Sequence, residues 1–407
     1  MALYGQGVFR SVTIATETTF GTQASGPGQL LRRVQFQMEE NPPVAQSQEI
    51  NPDGMPLDTF LGMISASGSL SGQLSPGSYK MIFEAIMRGT WTAGVTRTMT
   101  DSVLTIGGGG VITLTSAASN FLTVGFKRGD IVRFSGITGA PIALNAINLI
   151  VTAVTATTMT LAPNSTAVAW TGGSQASVIV AVTGKKVFTP VQASQVDRSF
   201  TVEDWSSDTS LSRLGRGIKF SQISLNVQPN GYVNFSTAFA GKNIDRATSR
   251  VYASPTAAST SLGVRTPVGQ VLYGGSVLGY ITGFNIQIAQ ALQPAMVVGP
   301  VDGTPAIAVG MITVNGSIQA LLTSDTMTAD FIAQNDVELC LFMPVATAAS
   351  SDFVSIYVPR ARLMGRQAQD SDRLIARSYP FSSIQMVAGG SGTAYDNSLV
   401  TIQDSLA

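Results

Sequence analysis

Alternation of polar and apolar residues predicts a strand near the start of this chain of 407 residues. In residues 34–38, Phe36 and Met38 fall on one face and Gln35 and Gln37 on the other. Successive side chains of a strand point to opposite faces, so this segment has one apolar and one polar side. The pattern is typical of a strand in a half-buried sheet.

Three further segments show the same alternation. Residues 64–71, whose apolar face begins at Ile64, predict a second strand of the first half. Residues 284–288 and 312–318 predict an equivalent pair in the second half. The long polar connections within the pairs, 41–61 and 289–309, are predicted to be loops.

The two strand pairs form an internal repeat in which matching residue numbers differ by a constant 248 (284 − 36). The matching segments are Phe36 with Phe284, residues 62–64 with 310–312, and residues 68–70 with 316–318. Solenoid repeats recur every 20 to 50 residues or so, which is far shorter than this period. We therefore interpret the repeat as a duplicated domain.

A short helix is predicted after each strand pair. The first is capped at Ser75 and stopped by Gly89. The second is capped near Thr323 or Ser324 and ends at Asn335. Each half is thus predicted to combine a sheet with a flanking helix.

The later strands predict an insertion in the first half. Strand candidates at 337–343, 353–363 and 373–386 have counterparts at 199–205, 218–227 and 231–240. Matching Ile218 with Val354 leaves about 112 extra residues in the first half, with strand and turn signals of their own. The predicted division is 1–94 with 191–250 as one discontinuous domain, 95–190 as an inserted β-domain, and 251–407 as the second domain.

Composition favours a protein that buries much of its surface. The chain has 24 basic and 24 acidic residues, and only 12% of its residues are charged, against about 25% in ordinary domains. A zero net charge argues against a dedicated nucleic-acid-binding surface. We expect no membrane-spanning segment and no secretory signal, so the chain is expected to fold in a cytoplasm.

The sequence favours no enzyme, and we expect no cofactor and no metal. The chain has no histidine, the commonest general base. Its single cysteine, Cys340, lies in an apolar run and is predicted to be an inert core residue. The acidic pairs are predicted to be solvated surface groups; they are Glu39-Glu40, Glu203-Asp204 and Asp370/Asp372.

The polar faces of the predicted strands are made of neutral amides and hydroxyls. Solvated sheet faces usually carry Lys and Glu, and a face without cations cannot hold phosphates by releasing counterions. We expect it to let a polyanion pass without binding. The face comprises Gln35, Gln37, Ser65, Ser67, Ser69, Ser71, Asn285, Gln287, Thr313, Asn315, Ser317 and Gln319.

Three segments resemble the tail tube proteins of long, non-contractile-tailed (siphovirus-like) bacteriophages. They are residues 15–22 (ATETTFGT), the strand containing Gly62 and residues 68–70 with the helix after it, and residues 357–361 (YVPRA). The resemblance covers both halves and leaves only the insert aside. It implies a mainly β fold with two tandem tail-tube sandwich domains, each with a flanking helix, and places the insert on the exterior.

The resemblance also implies a function. Rings of subunits would stack into a tube that delivers the genome, with the neutral face lining the lumen. Single-domain members form six-membered rings, so a duplicated chain favours a homotrimer with pseudo-sixfold symmetry over a hexamer. The two long loops would contact the next ring, through Asn41, Pro42, Pro43, Gln46, Asn51, Met55, Gln293, Pro294, Pro300 and Asp302.

The partners implied are further copies of the chain, a tape measure protein, a tail terminator and genomic DNA in transit without specific binding, with no membrane. The chain would lie in the virion tail after assembly in the host cytoplasm.

Two alternatives remain open. A tail terminator or baseplate ring protein has the same fold but forms one ring, so copy number distinguishes it. A surface-binding module would use the insert, so deleting 95–190 would abolish its activity.

Overall fold

The computed structural model describes residues 4–50, 52–55, 58–163, 172–298, 302–369 and 374–407. Strands dominate these residues, which confirms the mainly β class. One large sheet system and a second, eight-stranded sheet account for most of them. Short 3-10 helices lie at Gly7–Phe9, Gly108–Gly110, Ala140–Leu144, Gln192–Ser194 and Thr266–Val268.

The first part of the chain contributes strands and a helix to the main core. They are β1 (Arg10–Thr16), β2 (Gln29–Leu30), β3 (Gln35–Glu40), β4 (Val44–Gln46), β5 (Thr59–Leu61), β6 (Ala66–Gln73), α1 (Lys80–Met87) and β7 (Thr92–Ala93). The predicted strand 64–71 begins later than expected because its pairing with β3 stops at Ala66 and Glu40. Ile64 is 42% exposed, so its predicted place on the buried face is wrong.

The first helix begins and ends differently from the prediction. Ser75 caps nothing: its hydroxyl bonds that of Ser78 at 2.6 Å in the preceding turn, and α1 starts at Lys80. The residue in the left-handed conformation is Arg88, with φ of 50°. Gly89 is needed for a different reason, since a Cβ there would collide with the Phe188 carbonyl.

Residues between Thr96 and Val182 form the eight-stranded sheet, which has a hydrophobic core of its own. Its two ends meet, because the Gly94 amide donates to the Gly184 carbonyl at 3.2 Å. The elements are β8 (Thr96–Met99), β9 (Ser102–Ile106), β10 (Ile112–Thr115), α2 (Phe121–Val124), β11 (Ile131–Ser135), β12 (Leu149–Val154), β13 (Thr158–Pro163), β14 (Gly172–Gln175) and β15 (Val178–Val182).

The rest of the chain returns to the large sheet system. Its elements are β16 (Lys185–Phe188), β17 (Phe200–Ser206), β18 (Leu211–Val227), β19 (Asn234–Gly241), β20 (Asn243–Ala247), β21 (Gln270–Tyr273), β22 (Ser276–Leu278), β23 (Ile281–Pro294), β24 (Ile307–Leu321), α3 (Thr326–Ala333), β25 (Val337–Pro344), β26 (Phe353–Leu363), β27 (Gln367–Gln369), β28 (Ala376–Ser383) and β29 (Thr401–Asp404). Strand β16 pairs with β7 and β29, so the large system includes residues 185–188 of the predicted insert range.

The second strand pair is longer than its pattern predicted. Strands β23 and β24 stay paired as far as Pro294 and Ile307, so residues 289–294 and 307–309 of the predicted loop 289–309 are strand. The helix that follows is preceded by Asp325 rather than by Thr323 or Ser324. Its last residue is followed by Gln334 in the left-handed conformation.

The internal repeat of the sequence holds in the strand register. Phe36 pairs with Leu70 across β3 and β6, and Phe284 pairs with Ile318 across β23 and β24. A glycine lies beside each pair, at Gly68 and Gly316, where a Cβ would collide with the partner strand's carbonyl and with a phenylalanine ring. The two hairpins are therefore equivalent down to individual contacts.

Register also corrects the alignment of the later strands. Strands β19 and β28 are equivalent in the repeat. Lys219 and Phe220 of β18 pair with the same positions of β19 as Arg362 and Leu363 of β26 do with β28. Ile218 therefore corresponds to Ala361 and not to Val354. In the same alignment, β27 corresponds to the last part of β18.

One sheet runs through both halves of the chain. Its strand order is β3-β6-β19-β18-β23-β24-β28, and we call it the continuous sheet. Strand β18 joins the halves because it pairs with β19 on one side and with β23 on the other. The main core lies on one side of this sheet, between it, the helices and strands β25, β26 and β29.

The eight-stranded sheet packs against the second half, although the chain enters it from the first. Its Ile131 and Ile150 share a small core with Phe342, Phe353 and Tyr357. These three belong to β25 and β26, on the side away from the main core. The inserted sheet therefore lies on the side of the molecule remote from the continuous sheet.

Candidate functional site

The face of the continuous sheet that points away from the core is the candidate site. Each predicted polar-face residue except Ser65 lies in a strand, and all of them are exposed or half-buried. Register puts them side by side: Gln37 lies opposite Ser69, and Gln287 opposite Asn315. Ser65 precedes β6, where its carbonyl accepts a hydrogen bond from the Asn41 amide at 3.0 Å. We call this surface the polar face.

Three strands that were not assigned to the polar face complete it between and beside the two hairpins. They contribute Gln222, Ser224 and Asn226 from β18, Asn234, Ser236 and Ala238 from β19, and Ser378 and Ser382 from β28. The signal was present in the sequence, since residues 222–226 alternate polar and apolar side chains. What the pattern did not contain was the strand order.

The junction between the halves lies in the middle of the polar face. Ser224 of β18 is opposite Gln287 of β23, and Asn226 is opposite Asn285. The Gln287 side-chain amide donates to the Gln222 side-chain oxygen at 2.6 Å. On the core side of the same junction, Ile223 lies opposite Ile288, and both are buried. Amides hold one side of this junction and apolar packing holds the other.

Charges appear at the two ends of the polar face. At the β3 end, Glu39 approaches Arg213 at 3.3 Å. At the β28 end, Arg362 shares the face of Ser382, and Asp336 bonds the guanidinium groups of both Arg360 and Arg362 at 2.6 Å. The expectation of a surface without cations is therefore wrong at this end.

The hairpin after β3 was predicted to be an inter-ring loop. Strands β4 and β5 pair within it, and Gln46 lies in β4. Asn41 donates to the Ser67 hydroxyl at 2.6 Å, and the Pro43 carbonyl accepts from the Gly62 amide at 2.7 Å. Exposed apolar side chains cover the hairpin: Val44, Ile50, Met55, Phe60 and Leu61. Pro42 is half-buried, and Asn51 lies outside the described residues.

The equivalent hairpin of the second half also exposes apolar side chains, namely Met296, Val297, Val298 and Met311. Gln293 and Pro294 form the end of β23, and Pro300 lies outside the described residues. Asp302 turns back onto the first half, where its carboxylate bonds Arg216 at 3.0 Å and Asn243 at 2.7 Å. This hairpin is thus anchored across the junction.

The reactive side chains are placed for stability. Burial raises the pKa of the Cys340 thiol to about 12, so the thiol stays protonated near neutral pH. Glu203 and Asp204 are buried, so their prediction as solvated groups is wrong. Arg10 bonds Asp204 at 2.6 Å, and Glu203 accepts from Ser212 at 2.8 Å. Asp370 and Asp372 lie outside the described residues.

Within the described ranges, no three metal-binding side chains of His, Cys, Asp or Glu lie together. In the same part of the chain, no helix has the length and apolar character needed to span a membrane. The polar face and its two ends are the features left to explain.

Comparison with known proteins gives a match over most of the chain. A family model described as "Phage tail tube protein" matches residues 10–383, which includes both hairpins and the inserted sheet. A search of curated proteins found no match.

Proposed function

Because the chain belongs to the phage tail tube protein family, we propose that its copies join edge to edge into rings and that the polar face lines a central channel. The chain is a structural protein of the virion tail, and its family assembles into a tube. We further propose that the rings stack, that the tube conducts the genome and that the tail is long and non-contractile.

The junction between β18 and β23 is the observation that carries this proposal. At this junction the strands of the two halves lie side by side in a single sheet, and their polar faces are continuous. Repeating the same step between chains extends the sheet, and a constant rotation at each step closes a ring. Closure also removes the exposed strand edges that would otherwise favour aggregation.

Two copies of the fold in each chain favour three chains per ring. Each chain would occupy two of six similar positions, so the ring would be a homotrimer with pseudo-sixfold symmetry. The family resemblance gives the number of positions, and the internal repeat divides it by two.

The chemistry of the polar face suits a conduit for DNA. Its middle strands carry serine, glutamine and asparagine, which cannot release counterions from phosphates. The cations at one end are Arg360 and Arg362, and Asp336 partly neutralises them. We propose that DNA passes without specific binding.

The two exposed hairpins are proposed to contact the next ring. Exposed apolar side chains, such as Phe60 and Met296, cluster on both hairpins, and contiguous apolar patches mark contact sites. By family resemblance, a tape measure protein and a tail terminator are further partners. The inserted sheet would face outward, because it lies on the side remote from the polar face.

Single-cysteine labelling of assembled protein tests the proposal. Native Cys340 is buried, so an introduced cysteine is the reactive one. Ser69→Cys would be on the channel wall, and Thr157→Cys, in an exposed turn of the inserted sheet, is the matched control. We expect negative-stain images of hollow tubes. In these tubes a small maleimide should label both variants, whereas a large polyethylene-glycol maleimide should label only Thr157→Cys.

Two results would contradict the proposal. The first is that the native protein forms neither rings nor tubes at any concentration. The second is that tubes form and the large reagent labels Ser69→Cys as fast as Thr157→Cys, since the polar face would then be on the outside.

A further inference from the structure

Strand β27 extends the continuous sheet beyond β28, and the two outermost strands, β3 and β27, have edges that no other described strand covers. Among the described residues, β3 pairs only with β6, and β27 pairs only with β28. Inside the chain, the equivalent edges belong to β23 and β18, and these two strands pair with each other. We infer that β27 of one copy pairs with β3 of the next in the β18–β23 register, which places Arg366 opposite Glu40. This inference rests on the proposed function.

The register follows from contacts inside the chain. Gln367 pairs with Ser378, and Ser224 pairs with the equivalent residue, Ser236. Gln367 therefore corresponds to Ser224. This is the same alignment that matches Ile218 with Ala361, so β27 continues β26. Strands β3 and β23 are related by the internal repeat that matches Phe36 with Phe284. The pair Ile223–Ile288 of the internal junction therefore corresponds to Arg366 and Glu40.

The two equivalent residue pairs differ in chemistry between the internal junction and the inferred junction between copies. Ile223 and Ile288 are buried and apolar, whereas their counterparts carry opposite charges. Opposite charges placed across two strands attract, and like charges there repel. A charge opposite an isoleucine would be buried without a partner. Pairing β27 with β23, or β18 with β3, is therefore disfavoured, and the chain distinguishes its internal junction from the one between copies.

Within a single chain, Glu40 forms an ion pair that a residue of another copy could replace. Arg246 bonds the Glu40 carboxylate at 2.8 Å, but its own side chain is 71% exposed. Beside it, Arg213 donates to the Met38 carbonyl on the edge of β3 at 2.5 Å. Side chains thus occupy this edge in the monomer, and a backbone partner can replace them.

A second contact supports the same register. At the internal junction, the Lys219 ammonium donates to the Ile307 carbonyl at 2.9 Å. Arg362 stands at the position of Lys219, and Thr59 is the counterpart of Ile307 in the internal repeat. In the inferred register, Arg362 of one copy would reach the Thr59 carbonyl of the next.

Charge reversal in the full-length chain tests the inference. The variants are Glu40→Arg, Arg366→Glu and the two together, and Arg246→Gln is the matched control that removes only the monomer's own partner of Glu40. Tube formation would be followed by sedimentation and negative stain. We expect each single reversal to raise the protein concentration needed for assembly about tenfold or more. The double variant should return to within about threefold of native, and Arg246→Gln should stay near native.

The outcomes separate this inference from the proposed function. If the single reversals assemble like the native chain, or if the double variant is no better than the singles, the pairing of Arg366 with Glu40 is wrong while tube formation stands. If the native chain does not assemble, the proposed function itself fails. Thermal unfolding of the variants shows whether a loss of assembly comes from misfolding.

Cross-linking gives a measurement that does not depend on the energy of the charge pair. The variant Glu40→Cys/Arg366→Cys, oxidised or treated with a short bis-maleimide after assembly, should give covalent oligomers up to the size of the ring. Either single substitution alone should give monomers only, because Cys340 is buried. An uncross-linked double variant within intact tubes would overturn the register.

Discussion

Strand β18 runs without a break from Leu211 to Val227, whereas its counterpart in the second half is divided into β26 and β27. The break falls at residues 364–366, and Met364 there is 65% exposed. The unbroken strand is the one whose edge is covered by β23. The matching strand is therefore continuous through its register shift at residues 220–222, where β23 lies beside it, and is interrupted at the equivalent place, where no described strand covers that edge.

The two helices show the same difference. Helix α1 contacts both β18 and β23 and buries Ile82, Phe83 and Ile86. Helix α3, its counterpart, buries only Met327 and Thr328 among its residues, and Ile332 is 74% exposed. On the proposed function, the internal junction is the model for the contact that the open ends would make with other copies.

The largest expected effect comes from placing a charge in the internal junction. Ile288→Glu would bury a carboxylate opposite Ile223, and we expect the free energy of unfolding to fall by about 4 kcal/mol. Glu40→Ile, the reverse change at the equivalent position, should alter it by less than about 1 kcal/mol. Denaturant unfolding measures both. Similar losses for the two variants would mean that the open edge and the junction do not differ as described.

A smaller effect is expected where the C-terminal strand links the halves. The buried Asp404 of β29 accepts from the Gly77 amide at 2.8 Å, just before α1, while β29 pairs with β26. Burial raises the pKa of Asp404 to about 6. The folded state therefore holds this proton more tightly than the unfolded state does. The contribution is complete below about pH 4 and is lost as pH rises through about 6.

Unfolding from pH 4 to 8 should show this loss, of up to about 3 kcal/mol, in the native chain. Asp404→Asn cannot titrate, so its stability curve should be flatter over the same range. Parallel curves for the two proteins would rule out Asp404 as the source.

The paired glycines test whether the two hairpins are equivalent. Gly68→Ala and Gly316→Ala each force a Cβ against a carbonyl and a phenylalanine ring. Each should cost about 2 kcal/mol of unfolding free energy, because overpacking displaces neighbours. Equal losses of unfolding free energy would support the equivalence of the two hairpins, and a difference of more than about 1 kcal/mol would contradict it.

The smallest effects on stability are expected on the polar face. Ser69→Lys and Ser317→Lys occupy equivalent positions, and each should change stability by no more than about 0.5 kcal/mol. On the proposed function, both should slow genome ejection from virions in a salt-dependent way, because they add cations to the channel wall. Thr157→Lys is the matched control. Equal behaviour of all three variants would place the polar face away from the DNA.

Local patterns predicted much of this structure. Alternation correctly identified both hairpins and nearly all of their polar positions, because a strand's period is visible in a few residues. It also identified 218–227 as strand, but not that β18 pairs with β23, since strand order is set by packing across the whole chain. Burial of Asp204 depends on Arg10, which is far away in the sequence, so no local signal contained it.

Local patterns did not contain the length of the second hairpin or the docking site of the inserted sheet. Residues 289–294 look like a polar loop alone and become strand only because residues 307–312 lie beside them. The inserted sheet signalled its own strands but not its docking site. The charged end of the polar face was missed because matching Ile218 with Val354 put Arg362 out of register.

Docking of the inserted sheet has a consequence for any attempt to shorten the chain. Ile131 and Ile150 cover Phe342, Phe353 and Tyr357, and Gly129 is packed so tightly on the Tyr357 ring that a Cβ would collide with it. Excising residues 96–182 would uncover a patch of aromatic rings and lower the solubility of the product. A shortened subunit would therefore need hydrophilic replacements at those three positions, because the inserted sheet is what covers their side chains.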